Sequence, residues 1–189
     1  MKTKLIFAAI SVAPLLLACA NKGDNKFFAR TSRDYLVDIK RVSDSDDLSD
    51  FQRIGKILRI DFSIENERTI STTPAAGPKI DGWSVTIKPT QLPRENINQS
   101  FSYGLFRPTG RDFSRVQISF LINTDVICIT PVDLMDVFGH SVNKYLNPHT
   151  TTSGYIYKKP NNSEITTTFK FLKNGCLTGI GFSQNSNRN

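Results

Sequence analysis

Two histidines, His140 and His149, are all that this 189-residue chain provides, and neither stands at a metal-ligand spacing. The chain has no His-Glu-x-x-His, no Cys-x-x-Cys, no Gly-x-Ser-x-Gly and no glycine-rich loop of the kind that cradles phosphate. These absences weigh against several hydrolase classes; a serine nucleophile would need a base placed by tertiary structure. No metal or cofactor signature is present, and the expectation is a protein that is not an enzyme and carries no cofactor. Cysteine is scarce too, at three residues. Long hydrophobic runs are missing: residues 5–17 are apolar, but that is short of the ~20 residues a helix needs to cross a bilayer of ~30 Å.

That short run has another reading. Lys2 and Lys4 precede it and small residues follow it, the pattern of a removable export signal. Its end, Leu16-Leu17-Ala18-Cys19, resembles the lipobox of bacterial lipoproteins. The resemblance implies cleavage after residue 18, diacylation of the Cys19 thiol and acylation of the new amino group with palmitate-like chains. Ala20 stands where an aspartate resembles the inner-membrane retention signal, so the expected destination is the periplasmic face of the outer membrane.

Removing the first 18 residues leaves 171, enough for one compact domain with a sizeable core. In an oxidising compartment the two remaining cysteines, Cys128 and Cys176, have one possible pairing, so a disulfide between them is expected. The formal charge of +7 falls to +5 without Lys2 and Lys4. The bases are scattered, and export removes the chain from nucleic acid, which is therefore not an expected partner.

Residues 19–33 are polar apart from Phe27 and Phe28 and suit a flexible tether. From residue 34 the pattern predicts a first α/β unit to residue 123 and a second from residue 124 to 189. Tyr35, Val37 and Ile39 alternate with Leu36, Asp38 and Lys40, predicting a strand. Leu48, Phe51 and Ile54 then share a helical face that Gly55 is expected to stop. Strands are predicted at 58–64, 83–87, 101–106 and 116–123, with a long surface loop at 66–82 and a strand end before Pro89. In the second unit, Thr130-Pro131-Val132-Asp133 combines a capping threonine, a proline at the first helical position and a carboxylate three residues after the cap. Gly139 is expected to end that helix. Ile165, Thr167, Phe169 and Phe171 alternate toward Asn174-Gly175, which predicts a two-residue type I′ hairpin. Counting through it pairs Lys173 with Cys176, Phe171 with Thr178, Phe169 with Ile180 and Thr167 with Phe182, with Cys176 turned to the apolar side. The expected fold class is α+β, with short helices packed on one face of antiparallel sheet in two similar α/β units.

Charge is concentrated in two places. Asp44, Asp46 and Asp47 stand in an acidic stretch that would attract a basic partner, and Lys158 and Lys159 at a turn would attract an acidic one. These five residues are the candidate partner contacts.

Two longer stretches carry a second resemblance. The run from Phe120 to Asp133 with Phe138-Gly139, and Phe169-Lys170-Phe171 with Cys176-Leu177 and the run from Gly181 to Asn185, resemble Gram-negative lipoproteins that act as immunity proteins against type VI secretion effectors. Antibacterial phospholipases are prominent among those effectors. The resemblance implies a lipid-anchored inhibitor that blocks a secreted effector, with the membrane contacted through the N-terminal anchor. An envelope-assembly accessory lipoprotein that holds another outer-membrane or periplasmic protein is the alternative.

Overall fold

A computed structural model describes residues 30–74, 77–146, 153–160 and 164–185. The export signal, Cys19, His149 and the expected tether before Arg30 lie outside the described residues. In chain order, helices α1 (Ser32–Ser43) and α2 (Phe51–Leu58) lead into strands β1 (Asp61–Thr72), β2 (Lys79–Gln91), β3 (Ser102–Pro108) and β4 (Arg115–Leu121). Helix α3 (Pro131–Phe138) and a short 3-10 helix (Gly139–Ser141) lead into β5 (Val142–Leu146), β6 (Ser153–Lys158), β7 (Ile165–Phe171) and β8 (Leu177–Gln184). The fold is α+β: eight strands form one sheet in the order β1-β2-β3-β4-β8-β7-β6-β5. Neighbours are antiparallel throughout, and β4 meets β8 at the middle.

Alternation decides where the core lies. Val85, Ile87, Tyr103, Leu105, Ile118, Phe120, Phe169, Ile180 and Phe182 are all buried, and the register sets Ile118 opposite Phe182 and Phe120 opposite Ile180. Each such side chain contributes roughly 1.5–3 kcal/mol of burial. Helix residues join the same core. The Phe138 ring stands edge-on to Tyr157 and Phe169 at 4.9 and 5.1 Å, and the Thr167 hydroxyl donates to Ser43 Oγ at 2.8 Å. Tyr103 donates its hydroxyl to the Leu48 carbonyl, while the Leu48 N–H donates to Gln184 Oε1 at 2.6 Å.

Several expectations are corrected. Residues 35–39 are helical, not a strand, because Tyr35, Leu36, Ile39 and Val42 bury one stripe of α1 and a five-residue window cannot separate the two periods. Helix α2 starts three residues later than expected, capped by Asp50, whose side chain accepts from the Arg53 N–H at 3.0 Å. Gly55 does not stop α2; the helix runs on to Leu58 and ends at Arg59 in the left-handed region, with φ 61°. Gly55 is there for closeness: a β-carbon on it would lie 2.5 Å from the Ile60 carbonyl oxygen. The expected loop at 66–82 is mostly strand, since β1 and β2 continue as a hairpin to the pair Thr72 and Lys79. Both faces of that extension are largely exposed, so no alternation marks it. Pro89 lies inside β2 at a register shift opposite Phe62, a place where a missing N–H is tolerated.

The β7–β8 turn also differs. The Gly175 N–H donates to the Leu172 carbonyl at 3.0 Å, and the Leu172 N–H donates to the Cys176 carbonyl at 2.9 Å, so the loop has three residues. Only Gly175 has positive φ, at 89°, as in a type I turn closed by a glycine bulge. Phe171 therefore meets Leu177, and Lys173 and Cys176 do not pair; a second irregularity at Thr178 restores the expected pairs Phe169 with Ile180 and Thr167 with Phe182. Leu177, not Cys176, turns inward. The expected helix start is present in full: Thr130 and Asp133 form a reciprocal capping box with Pro131 in the first turn.

Candidate partner-binding surface

Strand directions give the sheet two ends. At one, β4 finishes at Leu121 beside Gly179 of β8, and the Cys128–Cys176 disulfide joins the segment before α3 to the β7–β8 turn with Cα atoms 5.1 Å apart. The bridge closes at the surface rather than through the core, with Cys128 exposed and Cys176 half-buried. Its neighbours Ile127 and Ile129 are the residues that point inward. The chain arrives at this end, where the Ser32 hydroxyl donates to the Cys128 carbonyl at 3.3 Å. At the other end lie the start of β4, the end of β8 and the tip of the β1–β2 hairpin.

The arriving chain is clamped by charge. The Arg30 guanidinium donates to Glu95 Oε1 at 2.9 Å and to Asp38 Oδ2 at 3.0 Å, with all three side chains at most 7 % exposed. It also lies 4.5 Å from the centre of the Tyr35 ring. Burial raises the Glu95 carboxyl, but hydrogen bonds from the Arg30 backbone N–H and side chain outweigh it and hold the group below its ordinary value. Arg30 thus belongs to the folded body, although composition assigns it to the tether. One signal in the sequence marks this cluster: Asp38 interrupts the apolar stripe of α1, and a carboxylate on a buried stripe requires a cation.

The five candidate contact residues lie at the opposite end from the disulfide. Lys159 Nζ donates to Asp46 Oδ1 at 3.1 Å and to the Asp44 carbonyl at 3.0 Å. Lys40 Nζ donates to Asp44 Oδ2 at 2.6 Å, and the Tyr157 hydroxyl donates to Asp44 Oδ1, also at 2.6 Å. The structure therefore brings Asp44, Asp46 and Lys159 together and sets acidic and basic segments against each other, whereas the sequence assigns them to partners of opposite charge. Asp47 folds back on its own backbone, accepting from the Ser49 N–H at 2.8 Å. Lys158 stays exposed on β6. Burial and the bond to Asp44 push the Tyr157 phenol up. Burial pulls Lys40 down, but its hydrogen bonds to Asp44 and Tyr157 prevail and raise it. These hydrogen bonds tie the end of α1 to β6 and to the segment that follows it.

What the sequence reading missed is the hairpin. Strand β3 pairs with β2 only over the stretch from Gly82 to Ile87, so the tip of β1–β2 stands clear of the sheet. Trp83 is 40 % exposed and Ile80 49 %, with Arg107 directly across from Trp83 on β3. The surface also carries two grooves. One of about 220 Å³ between α1 and α3 is lined by Arg33, Lys40, Asp44 and Asp136. The other, about 340 Å³ on the sheet, is lined by Ser84, Phe106, Arg115 and Gln117. His140 is exposed on the 3-10 helix. Among the described residues no group of three or more His, Cys, Asp or Glu side chains is placed to hold a metal ion, and no helix is long and apolar enough to cross a membrane. Comparison with protein families, curated proteins and solved structures finds nothing that matches this chain.

Proposed function

We propose that this protein is a lipid-anchored inhibitor on the periplasmic face of the outer membrane that binds a secreted antibacterial effector. In this reading the effector is of the type VI phospholipase kind, and binding is the whole mechanism. The lipobox-like Leu16-Leu17-Ala18-Cys19 and the resemblance over residues 120–185 support the class. The observation that carries it is the β1–β2 hairpin: Trp83 and Ile80 exposed beside Arg107, at the end of the sheet away from the arriving chain. Tryptophan and arginine are the residue types that most often dominate interface energetics, and a clustered apolar surface rimmed by charge is what partners bury. The three helices cover one face of the sheet, and the two runs of a helix followed by four strands act as related units meeting at β4 and β8. That arrangement makes a rigid base for the hairpin. An anchor at Cys19 concentrates the inhibitor at the surface a phospholipase attacks.

The test is binding of the full protein to the product of an adjacent effector gene, with lipase activity as a second readout. Capture and inhibition at micromolar concentration are expected, and Trp83→Ala should weaken binding by about thirtyfold, the scale of an interface hot spot. No binding and undiminished lipase activity at that concentration count against the proposal. Loss of envelope integrity on deletion in the absence of any toxin would favour the accessory-lipoprotein alternative.

A further inference from the structure

Nine large apolar side chains are exposed among the described residues, and six of them, Ile97, Leu121, Val126, Val132, Met135 and Leu172, gather at the disulfide end. The Ile97 N–H donates to the Leu121 carbonyl at 3.1 Å. Leu121 lies over Gly179, 3.3 Å from where a β-carbon would stand. Leu172 bonds through its N–H to Cys176 at 2.9 Å, and the disulfide carries the patch on to Cys128, two residues after Val126. Val132 and Met135, one helical turn apart on α3, share a side of the helix that starts just beyond. Their exposures run from 37 % for Met135 to 67 % for Val132. The other three exposed apolar residues, Ile64, Ile80 and Trp83, belong to the β1–β2 hairpin.

The chain's own start identifies what covers this patch. Ser32 bonds to Cys128 at 3.3 Å, and Arg30 is held by Glu95, two residues before Ile97. From Cys19 to Arg30 is eleven residues, a span of at most ~40 Å even when fully extended. We infer that this end of the protein rests on the phospholipid surface that holds the Cys19 acyl chains, its six apolar side chains reaching the boundary between headgroups and tails. The inference rests on the lipoprotein reading above. Exposed charges around the patch nearly balance, with Lys170, Lys173, Arg33 and Arg94 set against Asp34, Asp125 and Asp136, so the contact is mainly apolar and does not require anionic lipid. Its consequence is orientation: the hairpin with Trp83 is held away from the membrane.

Depth quenching tests this. The acylated full-length protein, extracted from its membrane, is reconstituted into phosphatidylethanolamine–phosphatidylcholine vesicles containing lipid brominated on its acyl chains. Val132→Trp and Leu172→Trp, each in a Trp83→Phe background, place reporters in the patch, and the natural Trp83 reports on the other end. Quenching of the patch reporters roughly twofold or more stronger than that of Trp83, unchanged by high salt, is expected for side chains at the headgroup boundary. An acylated protein whose patch reporters are quenched no more than Trp83 overturns the orientation and leaves the anchor standing. Material that mass spectrometry finds without acyl chains overturns the anchor, and the orientation with it.

Discussion

Glu95, nearly inaccessible to solvent and bonded twice to Arg30, makes the sharpest prediction at the scale of single residues. Its folded-state carboxyl is held below the ordinary value, so the stabilisation it gives is complete above the unfolded pKa of about 4.3 and is lost as the pH falls through the lower folded value. Thermal melting from neutral to acid pH should therefore show a fall below that value, and Glu95→Gln should remove that part of the slope. At neutral pH the same substitution should cost about 3 kcal/mol in urea denaturation, because it removes one of the two carboxylates that neutralise the buried Arg30 charge and leaves Asp38 alone to do so. Gly55→Ala tests a close approach instead: the added methyl meets the Ile60 carbonyl oxygen at 2.5 Å, and overpacking of this kind costs about 1–3 kcal/mol. A melting temperature equal to that of the natural protein would show that the α2–β1 junction yields. Neither effect is legible from residue type alone, since an interior glycine and a glutamate in a loop look ordinary in a sequence.

At the scale of elements, the disulfide and the first helix carry the tests. The bridge spans 48 residues, for which the chain-entropy account gives about 4 kcal/mol. A Cys128→Ser, Cys176→Ser double variant should show a loss of that order by urea denaturation, with the sheet retained by circular dichroism. A chain beginning at Asp34 lacks both Arg30 and the Thr31 side chain that caps α1 by accepting from the Asp34 N–H at 3.1 Å. It should melt well below a chain beginning at Arg30; equal melting would return residues 30–33 to the tether. Helix α3 was legible because its start is written in four consecutive residues, a cap, a proline and a carboxylate whose geometry is local. Helix α1 was not. Its stripe of Tyr35, Leu36, Ile39 and Val42 emerges over eight residues, and in a shorter window Tyr35, Val37 and Ile39 imitate a strand. The β7–β8 turn failed for a related reason, since Asn-Gly suits both a two-residue loop and the last positions of a three-residue loop.

The whole molecule has polarity, with the chain and the disulfide at one end and the β1–β2 hairpin at the other. An Ile80→Ala, Trp83→Ala double variant should leave the melting temperature nearly unchanged, because both side chains are largely exposed, while binding to the effector is lost. Retained binding would move the interface to one of the two grooves. Local chemistry was decided in the sequence: the amphipathic strands, the α3 cap, the pairing of two cysteines and the lipobox-like segment each depend on neighbours a few residues apart or on simple counting. The order β1-β2-β3-β4-β8-β7-β6-β5 depends on which edges meet, and the meeting of β4 with β8 joins residues more than 50 positions apart. Lys159 finds Asp46 across 113 positions, and Arg30 finds Glu95 across 65. Long-range pairings of this kind are chosen by the packing of whole faces, which is why the sequence alone determined the parts and only the tertiary structure decided that opposite charges cancel and that the tryptophan stays exposed.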